Sequence, residues 1–315
     1  MHSAAAAGPS ALVVPSMPLA RFVVSAPQCD GTSERDSGCT YRVAWAINPH
    51  MRIDGADPLR AVGQHCAFVQ LLQKLGATVD RVPFVHGAFD SVFVKDNALL
   101  LRAGGRDHAL LARLLHRERR AEPWERSSAL MRRGFQMHGA PDKTFEGGDI
   151  VMLPGQKGAF LGTGFRSSRE VAPEIERFLG QPVQVLELSD PHLFHLDMAM
   201  ACLTDGTLIV CEEALSPGSL RRIADVIPAA SIVRVPATEA RNFALNVVQV
   251  GRAIVGGAAS PVRDAALLER GYRVHVSPLD EFHRAGGSAA CLVARVHGYE
   301  DVALKTTAAI RSTAA

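Results

Sequence analysis

The feature that most constrains the fold of this chain is a weak internal repeat. Each copy begins with a polar cluster. The residues after it predict a short strand, a glycine turn, a second strand, a helix and a closing Val-rich strand. Copies begin at Asp90, Glu146, His195 and Asn242, and the N-terminal portion supplies a fifth unit. One unit of this size cannot bury both faces of its sheet, so several units must pack against one another.

Apolar runs and turn residues predict the elements of each unit. For the copy that begins at Glu146 we expect strands at 150–153, 159–162 and 183–188 and a helix near 167–179. In the copy that begins at Asp90, a strand is expected at 98–101 and a helix across 107–120. These units together predict an α/β fold.

Composition bounds the class of protein and its partners. The chain has 315 residues, of which 47% are hydrophobic and 21% charged, values typical of a globular protein. The net charge of +2 gives no electrostatic reason to expect nucleic acid or an acidic membrane as a partner. No apolar stretch is long enough to span a membrane. Because neither nucleic acid nor a membrane is favoured as a partner, we expect a small-molecule partner.

The N-terminus and the cysteines indicate organisation and compartment. Residues 1–20 are rich in alanine and interrupted by prolines, which predicts a disordered leader before one domain at 21–315. The six cysteines contain no Cys-x-x-Cys pair, so their spacing predicts no metal site. A core of this size needs no disulfides, and we expect reduced thiols and a cytoplasmic location.

Cys291 is the candidate nucleophile. It follows the small residues 286–290, which leave the sulfur approachable, and precedes the apolar run 292–294, which predicts a buried strand. A free thiol has a pKa near ~8.5 and needs a neighbouring base or cation. His195 can fill that role and later protonate an amine, while Glu146 can orient the imidazole. The alternative is a small buried hydrophobe, the commoner role of a lone cysteine in such a position.

Three aspartates predict the charge of the substrate. Asp90, Asp96 and Asp197 also fall at the starts of repeats, which would converge if the units surround an axis. Carboxylates match the planar fork of a guanidinium, so this cluster favours a cationic planar substrate. Asp197 follows His195 by two positions, and on a strand both side chains would face the same way. The alternatives are a capping role for Asp90, a surface His-x-Asp pair and a simple turn at Glu146–Asp149.

These motifs resemble those of the pentein, or guanidine-modifying, superfamily, which includes dimethylargininases, arginine deiminases and amidinotransferases. Residues 90–96 are similar to the dimethylargininase segment Asp-Ser-x-Phe-Val-Glu-Asp, with Lys95 where that family carries Glu. Residues 146–149 match the shared Glu-Gly-Gly-Asp. Residues 195–197 match the His-Leu-Asp of arginine deiminases better than the His-Leu-Lys common in dimethylargininases. Cys291 falls where the family nucleophile lies.

The resemblance implies a five-bladed α/β propeller of ββαβ repeats with the site on its axis. It also implies a covalent thiouronium intermediate on Cys291, no cofactor and no metal. Arg166 and Arg119 lie where relatives carry arginines for the substrate carboxylate. The favoured function is a dimethylargininase-like hydrolase, with an arginine deiminase or amidinotransferase as the alternative and a non-catalytic pentein binding protein as the alternative of another class. The number of subunits is not fixed, and a homodimer is one arrangement the sequence allows.

Overall fold

The computed structural model describes residues 20–29, 38–155 and 157–298, so most of the predicted leader lies outside it. Within the described residues, fifteen strands form one six-stranded sheet and three three-stranded sheets. The strands are β1 (Ala20–Ser25), β2 (Ala77–Val82), β3 (Ala98–Ala103), β4 (Arg106–Leu111), β5 (Phe135–His138), β6 (Ile150–Met152), β7 (Ala159–Thr163), β8 (Val183–Glu187), β9 (Met200–Cys202), β10 (Leu208–Val210), β11 (Ile232–Arg234), β12 (Val247–Val250), β13 (Ala253–Gly256), β14 (Arg273–Val276) and β15 (Val293–His297). The helices are α1 (Pro58–Lys74), α2 (Glu122–Met131), α3 (Ala172–Leu179), α4 (Leu196–Ala199), α5 (Pro217–Val226), α6 (Ala237–Ala240), α7 (Pro261–Glu269) and α8 (Asp280–His283).

The three-stranded sheets share one plan, which confirms the predicted repeat. In each, the first two strands are antiparallel and the third lies parallel to the middle strand. A helix connects the second and third strands: α3 between β7 and β8, α5 between β10 and β11, and α7 between β13 and β14. Strands β3, β4 and β5 repeat the same order of pairing within the larger sheet, with α2 as their helix.

The helix predicted across 107–120 is wrong. Residues Arg106–Leu111 form β4, which pairs with β3 through a turn whose Gly104 and Gly105 have φ values of +55° and +78°. The helix of this unit begins only at Glu122. A short buried apolar run does not by itself distinguish a helix from a strand, and here the pairing with β3 decides the outcome.

The six-stranded sheet joins the first and last described parts of the chain in the order β2-β1-β15-β3-β4-β5. Strand β15 is antiparallel to β1 and parallel to β3. The apolar run after Cys291 thus enters the middle of a sheet, as its composition predicts. The thiol is fixed to a rigid part of the fold.

Strands from several sheets line one cavity. Residues of β3, β6, β9, β12 and β15 line a volume of about 420 Å³. The helices pack on the outer sides through buried residues such as Ile175, Ile223 and Leu267. Among the described helices, none is both long enough and apolar enough to cross a membrane.

The expectation that all cysteines are reduced is wrong for two of them. Cys29 and Cys39 form a disulfide. The backbone N–H of Cys29 donates to the carbonyl of Cys39 at 2.9 Å, and an antiparallel bridge joins Gln28 to Thr40. The backbone pairing brings the two side chains together, which the spacing of cysteines alone does not reveal.

Candidate active site

Cys291 lies buried where the turn of residues 288–291 leads into β15. Its sulfur accepts a hydrogen bond from Asn246 Nδ2 at 3.2 Å. Burial raises the pKa of the Cys291 thiol well above its ordinary value, and the negative charges of Asp197 and Asp96 raise it further. The thiol is therefore protonated at neutral pH until a positive charge arrives beside it.

His195 and Glu146 form a buried ion pair, with His195 Nε2 2.8 Å from Glu146 Oε2. Burial opposes the charge on the imidazole, but Asp96 and Glu146 outweigh it and raise the pKa of His195 to about 9. The hydrogen bond and positive charge of His195 hold the pKa of Glu146 well below its ordinary value despite burial. The pair is an imidazolium beside a carboxylate, the form that can protonate a departing amine.

The two glycines after Glu146 are required by close packing. A Cβ at Gly147 would lie 2.1 Å from the carbonyl oxygen of Lys95, and one at Gly148 would lie 2.7 Å from both Asp96 Oδ1 and His195 Nδ1. Asp149, the last residue of the motif, accepts hydrogen bonds from the backbone N–H groups of Ser167 at 3.0 Å and Leu196 at 3.1 Å. The Glu-Gly-Gly-Asp motif therefore lets three segments of the site meet.

Asp90 and Asp96 bring two buried carboxylates to the same pocket as the thiol. They lie in two successive 3-10 turns, Phe89–Val92 and Val94–Asn97. Trp45 Nε1 donates to Asp90 Oδ2 at 2.6 Å, and Oδ1 of Asp90 has no hydrogen-bond partner among the described residues. Oδ1 of Asp96 lies 3.7 Å from Nδ1 of His195. Burial raises the pKa of Asp90 to about 6. Buried oxygens without a donor carry a free-energy cost that a cationic ligand would remove.

The two candidate arginines differ in how they are held. Arg119 donates to Asp96 at 2.8 Å and to both carboxylate oxygens of Glu122 at 2.8 Å, so its guanidinium is fully engaged as a buried support. Arg166 is 3.4 Å from Glu146 Oε2, donates to the carbonyl of Ile47 at 3.1 Å and lies over the ring of Phe194. Both arginines line the pocket that holds Cys291.

A covering segment, residues 45–51, closes this pocket. The pocket has a volume of only about 20 Å³, room for about one water molecule. Asn48 Nδ2 donates to the carbonyl of Ala285 at 3.0 Å, and His50 Nε2 lies 2.9 Å from the carbonyl of His192. Ile47, Asn48 and Met51 of the covering segment line the pocket beside Cys291.

The structure does not bring Asp197 into this pocket. His195 immediately precedes α4, so the expected strand geometry at 195–197 is wrong. Asp197 Oδ2 lies 2.7 Å from Lys95 Nζ, and both residues line the 420 Å³ cavity on the other side of the site. The helix forms because Asp149 accepts from the backbone N–H of Leu196, an interaction that depends on a distant segment.

Sequence reasoning missed three contributors to the site. Asn246 contacts the nucleophile, Trp45 contacts Asp90, and Lys95 neutralises Asp197. The only sequence signal for Asn246 is its position just before a strand of the repeat, where we singled out Asn242 instead. Asn242 is exposed and donates to the carbonyl of Thr238.

Fold and site together bring a buried thiol, an imidazole and two buried carboxylates into one pocket. The sequence profile of eukaryotic N,N-dimethylarginine dimethylhydrolases matches residues 56–298, and the chain belongs to this family. The Mycobacterium tuberculosis N(G),N(G)-dimethylarginine dimethylaminohydrolase is 30% identical over 258 residues, which cover 82% of this chain and 83% of that protein.

A second group of relatives is bifunctional. The arginine dihydrolase/ornithine cyclodeaminase ArgZ of Synechocystis is 34% identical over 260 residues, 81% of this chain. The match covers 36% of ArgZ, so the chain corresponds to about a third of that protein. The crystal structure of the N-terminal domain of ArgZ bound to its substrate superposes with a TM-score of 0.80 at 31% identity and covers 88% of this chain and 98% of that domain.

Proposed function

We propose that this protein hydrolyses a C–N bond at the guanidinium carbon of an arginine-like substrate through a covalent adduct on Cys291. A methylated arginine is the lead substrate, with citrulline and an amine as products. The observation that carries the proposal is the buried Oδ1 of Asp90, which has no hydrogen-bond partner among the described residues and shares one pocket with Asp96, Cys291 and His195. The family membership supports the same chemistry.

Binding of the guanidinium would satisfy the two aspartates and activate the thiol. The cation would place positive charge beside Asp90 Oδ1, which has no donor among the described residues. It would also lower the pKa of Cys291, which Asp197 and Asp96 hold high in the empty site. Arg166 is the better placed arginine for a substrate carboxylate, because Arg119 is already paired with Asp96 and Glu122.

The chemical steps then follow from the charge states. The Cys291 thiol loses its proton to solvent when the guanidinium binds, and the thiolate attacks the guanidinium carbon. His195 then gives its proton to the leaving amine as the C–N bond breaks. The neutral imidazole then takes a proton from water, whose oxygen attacks the thiouronium carbon. The C–S bond breaks, the remaining hydroxyl proton passes to solvent as the ureido carbonyl forms, and the product leaves with the thiolate restored. Glu146 holds His195 in its charged form at the start of each cycle.

Unmethylated arginine is the second candidate substrate, because ArgZ is named an arginine dihydrolase. An amidinotransferase outcome requires an amine instead of water at the second step. The proposal also includes a single pentein domain at 21–315 arranged as a five-bladed propeller. The three three-stranded sheets of one plan, and the same order of pairing in β3, β4 and β5, support it. A cytoplasmic location, a homodimer and independence of cofactors complete it.

A substrate screen tests the proposal. Dimethylarginine, arginine, agmatine and guanidinoacetate are each incubated with wild-type protein, with and without an acceptor amine, and scored for ureido product and released amine. Cys291→Ser should abolish turnover and leave the melting temperature near the wild-type value, since the side chains are nearly isosteric. Cys66→Ser, an exposed thiol on α1, is the matched control. Substantial turnover by Cys291→Ser would exclude the covalent mechanism.

A further inference from the structure

Asn246 contacts both the backbone and the sulfur of the nucleophile. It lies immediately before β12 and is fully buried. Its Oδ1 accepts from the backbone N–H of Ala290 at 2.9 Å and of Cys291 at 3.3 Å. Its Nδ2 is 3.2 Å from Cys291 Sγ and 3.3 Å from the carbonyl of Asp197. One carboxamide thus connects β12 to the residue that carries the thiol.

The orientation of this carboxamide follows from its neighbours. The backbone N–H groups of Ala290 and Cys291 can only donate, so they must face the amide oxygen. The carbonyl of Asp197 can only accept, so it must face the NH₂ group. A flipped amide would set donor against donor and acceptor against acceptor. The N–H is therefore aimed at the sulfur.

The turn that delivers Asn246 is held in an uncommon conformation. Phe243 has a φ of +63°, in the left-handed region that costs a non-glycine residue about 1 kcal/mol or more. Its ring stacks on His283 with centroids 4.3 Å apart, and its carbonyl accepts from the N–H of Asn246 at 3.2 Å. Packing around Phe243 thus maintains a strained turn that places the carboxamide beside Cys291.

We propose that Asn246 is a positioning residue for the nucleophile of the reaction proposed above. Its oxygen fixes the backbone of Cys291, and its N–H orients and stabilises the thiolate. A hydrogen bond to the charged form of a group favours that form. Burial and the negative charges of Asp197 and Asp96 raise the pKa of Cys291, whereas the positive charge of Lys95 lowers it. A neutral donor favours the thiolate without a further cation that would repel a guanidinium.

The test compares Asn246→Asp, Asn246→Ala and the exposed control Asn242→Asp. The aspartate variant keeps an acceptor for the two backbone N–H groups and loses the donor to sulfur, whereas the alanine variant loses both without adding a charge. Iodoacetamide labelling of Cys291 in the substrate-free protein is followed against pH by peptide mass, because the other free thiols also react. The melting temperature, kcat and KM are measured on the same preparations.

Both Asn246 variants should shift the labelling curve to higher pH by about one unit or more, which corresponds to about tenfold less thiolate at a fixed pH. We expect kcat to fall at least about tenfold with KM within about twofold, because the substrate contacts are unchanged. Asn242→Asp should match the wild type. Labelling curves that overlap with the wild type, or failure of both variants to fold, would overturn the proposal. The labelling needs no turnover, so its result is independent of whether the proposed reaction is correct.

Discussion

The His195–Glu146 contact predicts how stability depends on pH. The pKa of His195 rises from its ordinary value of 6.5 to about 9, as burial is outweighed by Asp96 and Glu146. A group whose pKa is raised by folding stabilises the folded state. Its full contribution to the free energy of unfolding is present below the unfolded-state pKa and is lost as the pH rises through the folded-state pKa. At about 1.36 kcal/mol per pKa unit, the raised pKa of His195 contributes about 3 kcal/mol to the free energy of unfolding near pH ~6, and most of this contribution is lost by pH ~9. The lowered pKa of Glu146 arises from the same ion pair, so its effect on the free energy of unfolding is already included in that of His195.

Glu146→Gln should remove much of this dependence. The amide keeps an acceptor for His195 Nε2 but removes the negative charge 2.8 Å away, so the pKa of His195 falls toward its ordinary value. We expect the free energy of unfolding to drop by about 1–3 kcal/mol near pH ~6 and to change much less near pH ~9. Urea denaturation of both proteins at several pH values between these limits measures the difference.

Glu269→Gln is the control, because Glu269 is exposed on the last turn of α7. Its stability curve should run parallel to that of the wild type. If the Glu146→Gln curve also runs parallel to the wild type over this pH range, Glu146 does not determine the charge of His195. The assignment of His195 as the proton donor to the leaving amine would then lose its basis.

Three further predictions concern the same site. Dialysis against a chelator should leave turnover unchanged. Ligand atoms of Asp96, Glu146 and His195 lie within 4.8 Å of one another, but a protonated imidazole has no lone pair for a metal ion. Activity that is lost on dialysis and restored by one metal would contradict this prediction. Asp197 pairs with Lys95 and lies outside the pocket of Cys291, so Asp197→Asn should leave KM within about twofold of the wild-type value, and a KM raised roughly tenfold or more would instead place Asp197 on the substrate. Gly148→Ala should destabilise by about 1–3 kcal/mol and reduce kcat, since its Cβ would press on the catalytic imidazole, whereas Gly139→Ala, with open space around it, should do neither in urea and kinetic assays.

The repeat was predictable from the sequence because its signals are local. Alternating strands, glycine turns and Ser-Pro helix starts lie within each unit, and the strands of the Glu146 copy form within two residues of where they are expected. The motif residues Asp90, Glu146, His195 and Cys291 could be recognised because the chemistry demands those residue types. Their convergence followed from the packing of equivalent units.

The remaining features depend on contacts between distant segments. Trp45 reaches Asp90 across 45 positions, and Asn246 reaches Cys291 across the same separation. Lys95 and Asp197 pair because each lies at the inner end of a different repeat, which no pattern within one repeat can reveal. The covering segment and the disulfide near it belong to an irregular part of the chain without periodicity. In such places tertiary contacts decide the structure.

The way the pocket is assembled has a consequence for how the enzyme can lose activity. Its walls come from segments as far apart as Ile47 and Cys291, and β15 is held between β1 and β3 from the opposite end of the chain. No contiguous part of the chain contains a complete site. Loss of turnover in denaturant should therefore coincide with global unfolding, and a protease cut in any one repeat should inactivate the whole. Turnover would then serve as a direct gauge of the intact population in a mixture of folded and damaged molecules.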